Sequence, residues 1–140
     1  MYKIRVYSKF RDIYPNMEDV ILYKDNNEYE EIKDSSIEKI LADVLDVPSK
    51  KLTEEQVRKD FETPSLPPIS DENVKGIAAY YNRRKDLYDE IIGQIKNGYF
   101  ETSPVRRYDM MTMSSFYVYP DKEDKVEVLE SYVEITHVKE

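Results

Sequence analysis

Residues 70–98 read SDENVKGIAAYYNRRKDLYDEIIGQIKNG, and this stretch decides the class of fold. Ser70 offers a side-chain oxygen to the unbonded amides of a first helical turn, and Asp71 and Glu72 suit the positive end of the helix dipole. Gly98 offers the left-handed residue on which helices commonly end. Between them Val74, Ile77, Tyr81, Tyr88, Ile91, Ile92 and Ile95 gather on one helical face, while Lys75, Asn82, Arg83, Asp86, Asp89, Glu90 and Asn97 fall opposite. A helix running to about Asn97 with so continuous a stripe needs a broad apolar surface to lie on.

The N-terminal sequence supplies one. From Tyr2 to Phe10 the chain alternates, with Tyr2, Ile4, Val6, Ser8 and Phe10 on one side and Lys3, Arg5, Tyr7 and Lys9 on the other, which predicts a half-buried strand with a basic outer face. Val20 to Lys24 predicts a second strand; Asp25-Asn26-Asn27 suits a turn, and Tyr29 to Ile32 is expected to return as its hairpin partner. Met111 to Tyr119 and Lys125 to Val138, joined by Pro120-Asp121-Lys122-Glu123-Asp124, predict a second hairpin. Two shorter helices precede the long one. Ser35 and Glu38 read as a capping box before the stripe Ile37, Ile40, Leu41, Val44 and Leu45, which ends before Pro48. Thr53 and Gln56 read as another, with Leu52 and Val57 at hydrophobic-staple positions and an end near Phe61. Pro64, Pro67 and Pro68 mark an extended connector. The predicted architecture is α+β: one domain over residues 1–140, its antiparallel sheet (the N-terminal strand plus two hairpins) packed on one long amphipathic helix with two shorter helices.

Length and composition bound the rest. A chain of 140 residues matches the commonest domain size and supports one core without staples. Cysteine is absent, which excludes disulfides and thiolate chemistry and fits a reducing, cytoplasmic setting. No signal-like or membrane-spanning apolar run occurs, so no membrane partner is expected. Charge is divided along the chain: residues 1–11 carry Lys3, Arg5, Lys9 and Arg11 without an acid, and residues 12–63 hold fifteen acids against seven bases, within a net charge of −8. Such a division predicts a directed electrostatic field.

Enzymatic chemistry has little footing. His137 is the only histidine, three glycines leave no phosphate-cradling loop, and no hydrolase, zinc-protease or dinucleotide fingerprint is present. Neither catalytic residues, a cofactor nor a metal is expected. Two surfaces remain as candidates. The acidic belt, with Glu18, Asp19, Glu28, Tyr29, Glu30, Glu31 and Asp34 as its expected contact residues, can imitate a phosphate array and occupy a basic channel on a partner protein; its alternative is ordinary solvated charge. Lys3, Arg5, Lys9, Arg83, Arg84, Arg106 and Arg107, interleaved with Tyr7, Tyr80, Tyr81 and Tyr108, match the make-up of a groove for nucleic acid or a small anion, which the net charge disfavours. Arg84 falls within the apolar stripe of the long helix; its head either frames an anion site with tyrosine hydroxyls or reaches a glutamate, with Glu127, Glu130 and Glu134 as the expected partners. Met110, Met111 and Met113 beside Phe116, Tyr117 and Tyr119 read as core or as an adaptable binding strand.

In composition, small, acidic and rich in Lys, Ile, Asn and Tyr, the chain resembles the accessory proteins of bacteriophages and mobile elements, a set that includes anti-CRISPR and anti-restriction inhibitors. The likeness has no motif behind it. It implies a non-enzymatic protein that binds a host protein stoichiometrically.

Overall fold

The computed structural model describes residues 1–13, 18, 20–25, 32–62, 68–110, 115–117 and 125–139. It is α+β, with helices against one face of an antiparallel sheet. The strands are β1 (Tyr2–Ile13), β2 (Val20–Asp25), β3 (Val105–Asp109), β4 (Ser115–Tyr117) and β5 (Lys125–His137). The helices are α1 (Ile37–Leu45), α2 (Glu54–Phe61), α3 (Asp71–Lys96) and α4 (Tyr99–Thr102). Strand order is β2-β1-β5-β3, with β4 also on β5; since β1 takes one edge of β5 along its length, β3 and β4 share the other.

Alternation in β1 translates directly into two faces. Ile4 lies opposite Ile135 and Val6 opposite Val133 on the covered face, whereas Arg5 opposes Glu134, Tyr7 opposes Tyr132 and Lys9 opposes Glu130 on the other. The register slips where Lys9 pairs with Glu130 but Phe10 with Val128, leaving Leu129 as the extra residue of a β-bulge. Ile4, Val133 and Ile135 are fully buried. Val6 is only half-buried, at the margin of the core, and Lys3, Arg5 and Lys9 are half-covered rather than fully exposed.

The first strand takes a partner the sequence did not name. β2 pairs with β1, from Val20 opposite Asp12 to Asp25 opposite Tyr7, and Ile32 bridges Tyr2 farther along the same edge of β1. Residues 29–31 lie outside the described residues. In the second hairpin β4 pairs with β5 from Ser115 opposite Glu127 to Tyr117 opposite Lys125, while 111–114 and 118–124 lie outside the described residues. Neither α4 nor β3 is anticipated by the sequence pattern.

Helix α3 forms as its caps dictate: the Ser70 hydroxyl accepts from the Asn73 amide at 3.2 Å, and Gly98 adopts φ 76° just beyond its end. Thr53 caps α2 by accepting from the Gln56 amide, but the Gln56 side chain turns forward to Asp60 at 2.9 Å, so only half of that capping box closes. The Ser35–Glu38 box does not form. A 3-10 turn over Asp34–Ser36 precedes α1, with the Ser36 amide donating to the Lys33 carbonyl at 2.8 Å, and no side chain caps α1 at Ser36.

Burial follows two clusters joined by α3 rather than one. Its C-terminal half places Leu87, Ile91 and Ile92 against Ile37, Leu41 and Leu45 of α1, Phe100 of α4, and Ile4, Tyr108, Met110, Val133 and Ile135 on or beside the sheet. Its N-terminal half places Val74, Ile77 and Ala78 against Val57 and Ile69, with Leu52, Phe61 and Tyr81 at the margin. Leu87, off the predicted stripe, is fully buried because α3 is covered from more than one side. Asn82, placed on the polar face by the wheel, holds the Leu52 backbone through two hydrogen bonds of 2.6 and 2.9 Å.

Truncating Ile4 or Leu87 to Ala is expected to cost about 2–5 kcal/mol through lost burial and a residual cavity, Val6→Ala less, and Lys3→Gln under about 0.5 kcal/mol. Urea denaturation checks the order; equal losses at Ile4 and Lys3 would reject the face assignment.

Candidate functional site

The helices that reach the sheet, α1, α3 and α4, pack on one face, and among the described residues no helix covers the other, the open face, whose content the β1–β5 and β3–β5 registers determine. Among the described residues Lys3, Arg5, Lys9, Arg11 and Arg107 share it with Asp25, Asp109, Glu127, Glu130 and Glu134, and the register adds Lys125 opposite Ile13. Most of these are paired. Arg5 donates to both oxygens of Asp25 at 3.2 and 2.8 Å, Arg107 to Glu134 at 3.2 Å, and Arg11 lies 3.5 Å from Glu127. Hydrogen bonding to Arg5 holds the Asp25 carboxyl below its usual range and pushes the Arg5 guanidinium further up. The Arg107 guanidinium also lies 4.2 Å from the Tyr132 ring centre, and Tyr132 stacks on Tyr7 at 5.0 Å. Lys9 stands 5.5 Å from the ring centre of Tyr23.

The seven basic candidates therefore do not converge. Lys3, Arg5, Lys9 and Arg107 share the open face, but Arg106 points to the covered side of β3, its guanidinium 5.6 Å from the Tyr99 ring. Arg83 and Arg84 belong to α3 and donate to backbone carbonyls, Arg83 to Asp109 and Arg84 to Leu45, each at 2.7 Å. Arg84 thus neither frames an anion site nor reaches a glutamate. It binds a carbonyl in the last turn of α1, where unpaired C=O groups concentrate partial negative charge, and lies 4.3 Å from the Tyr80 ring. Glu127, Glu130 and Glu134, the expected partners, project from the opposite face of the sheet.

Of the acidic candidates, Glu18 is exposed, and Asp19, Glu28, Tyr29, Glu30 and Glu31 lie outside the described residues. Asp34 is engaged internally: its carboxylate accepts from the Met1 amino group and lies 3.4 Å from His137 Nε2. The hydrogen bond from the amino group chiefly, and His137 secondarily, hold it below the usual carboxylate range against the opposing effect of burial. Met110 is core; Met111 and Met113 lie outside the described residues.

The feature that sequence reasoning missed is the state of β2. Val20, Ile21, Leu22 and Tyr23 are 43%, 47%, 37% and 64% exposed. Ile21 and Tyr23, opposite Arg11 and Lys9, stand on the open face; Val20 and Leu22, opposite Asp12 and Phe10, stand on the side the helices cover elsewhere. The helical layer stops short of them. Four consecutive apolar residues normally signal a strand buried on both faces. Here the run occupies the end of the sheet order, and among the described residues β2 pairs with β1 alone. The available signal was the run Val20-Ile21-Leu22-Tyr23 within acid-rich sequence.

Among the described residues no group of three or more His, Asp or Glu is placed to hold a metal ion, and no helix is long and apolar enough to cross a membrane. No family model, curated protein or solved structure matches the chain.

Replacing Arg84 by Met keeps the stem's packing but removes the donor to the buried Leu45 carbonyl, for an expected loss of about 1–3 kcal/mol in chemical denaturation; no loss would mean the bond contributes nothing. Because the folded-state pKa of Asp25 is depressed, its contribution to stability is present above the unfolded value of about 3.9 and is lost as pH falls through the folded value. Asp25→Asn is therefore expected to flatten the acid limb of a melting-temperature profile below about pH 4, and an unchanged limb would remove the pair from the account.

Proposed function

We propose that the protein is a non-enzymatic interaction protein that captures a basic protein partner at the β2 side of its open sheet face. One observation carries the reading: an apolar strand exposed on both faces, within a segment, residues 12–31, that holds seven acids against Lys24 alone. Exposed apolar side chains supply affinity through burial, since each Å² removed from water contributes about 25 cal/mol. Surrounding carboxylates supply selection, steering a positive surface into contact and repelling an acidic one.

Direct nucleic-acid binding finds less support. Arg5, Arg11 and Arg107 are paired with carboxylates on their own face, and Arg83 and Arg84 donate to backbone carbonyls, which leaves these five less available to a phosphate backbone. The compositional likeness to phage and mobile-element accessory proteins extends the proposal to an inhibitor. In that role the acidic, tyrosine-bearing surface occupies the site of a cytoplasmic nucleic-acid-binding host protein, with Glu18, Asp19, Glu28, Tyr29, Glu30 and Glu31 contributing contacts.

Affinity capture from host lysate is expected to retain a basic protein, to lose it with Ile21→Glu/Tyr23→Glu, and to weaken with charge reversal of Glu28, Glu30 and Glu31, while circular dichroism stays unchanged. Association is expected to slow between low and high salt, since exposed charges are screened beyond about 8–10 Å at physiological ionic strength. Retention of the wild-type chain on single-stranded nucleic acid, or capture indifferent to Ile21 and Tyr23, would overturn the proposal.

A further inference from the structure

Resting on that reading, we infer that β2 is an acceptor for strand addition: the partner contributes an extended segment of about six residues, apolar with Lys or Arg interspersed, that lengthens the sheet beyond β2. The argument is geometric. Ile21 and Tyr23 stand on one face of the sheet, Val20 and Leu22 on the other, and all four are exposed. A globular surface laid on either face covers one pair and leaves the other wet. Only an element seated at the edge, between the two faces, covers both, and an added strand does so because its own side chains alternate to the two sides.

The edge position agrees. Among the described residues β2 is terminal in the strand order, and the next of them along the chain, Ile32, pairs with β1 at Tyr2. The six residues Val20–Asp25 extend about 20 Å at the usual strand rise, enough for three side-chain contacts on each face. Charge selects the occupant. Glu18 is exposed beside the start of β2, and Asp25 closes the far end with two-fifths of its side chain still accessible beyond Arg5. Cations on the incoming segment complement these carboxylates, and a second copy of this acidic chain brings the same carboxylates into opposition.

An arrayed library of random twelve-residue peptides, probed with the full chain, tests this. Bound peptides are expected to alternate apolar residues with Lys or Arg, to lose affinity at least about tenfold when N-methylated at alternate backbone amides on the pairing edge, and to slow amide exchange at residues 20–25. Tyr23→Ser, with an unchanged melting temperature as control, is expected to weaken them several-fold. N-methylated peptides that bind equally well would reject strand addition while leaving the protein-interaction reading intact, because contact would then run through side chains on one face. Absence of any such peptide rejects the inference. Protection of residues 20–25 in the chain alone, with a dimer in sedimentation equilibrium, would also reject it by making the occupant a second copy. Lysate capture indifferent to Ile21 and Tyr23 would remove both this inference and the reading beneath it.

Discussion

The structure depends on the pairing of β1 with β5, a ladder that joins the two ends of the chain from Tyr2 opposite His137 to Ile13 opposite Lys125. Every other strand hangs from it: β2 on the outer edge of β1, β3 and β4 on the outer edge of β5. The residues that this ladder aligns on its covered face, Ile4, Val133 and Ile135, are also those on which α1, α3 and α4 close the main core. Such contacts span more than a hundred residues of sequence, so their chain-closure entropy must be met before burial rewards them. Local helix formation in α3, which has caps and a stripe of its own, provides a surface onto which the terminal strands can assemble.

That dependence explains what the sequence reveals and what it conceals. Alternation in Tyr2–Phe10 identifies a strand and its faces, because side-chain direction is set by the residue itself. It does not identify neighbours. Val20–Asp25 pairs with β1, a partner that the period-two pattern does not name. The caps at Ser70 and Thr53 act within one turn and are legible; Arg84's acceptor is the Leu45 carbonyl, 39 residues away and identical in kind to every other carbonyl, so no side-chain pattern marks it. β3 was hidden because Arg106 and Arg107 break the polar–apolar alternation, Arg106 facing the covered side with its cation against Tyr99. Four residues of α4 are too few for a helical period to register.

Electrostatics changes more than the architecture between sequence and fold. A basic first strand followed by an acidic segment reads as a dipole, yet folding lays that strand against the acids of β5, Arg5 beside Glu134, Lys9 beside Glu130 and Arg11 beside Glu127. Asp25 of β2 closes on Arg5 from the other side. Such exposed pairs contribute little stability singly. Their larger consequence is that, among the described residues, the bases of the first strand lie beside carboxylates instead of standing as a separate positive patch. The charge of the whole chain then rests on acids away from this ladder, among them Glu18, Glu38, Asp43, Asp46, Glu54 and Glu55, all exposed.

Edge strands are usually blunted by proline, inward-pointing charge or a lysine at mid-strand, because an apolar edge templates pairing with other chains. β2 has none of these within Val20–Tyr23; Lys24 and Asp25 come only at its end. What it has instead is its surroundings, with Glu18 before it, Asp25 at its end and a net charge of −8 on the whole molecule. Two copies approaching along this edge bring like charges together and are repelled, whereas a positive chain meets the opposite sign and then apolar side chains on both faces. In the proposed interaction the same carboxylates would select against self-association and for a basic partner. A strand that would be a hazard in a neutral protein would then be, in this acidic one, a surface with a preference.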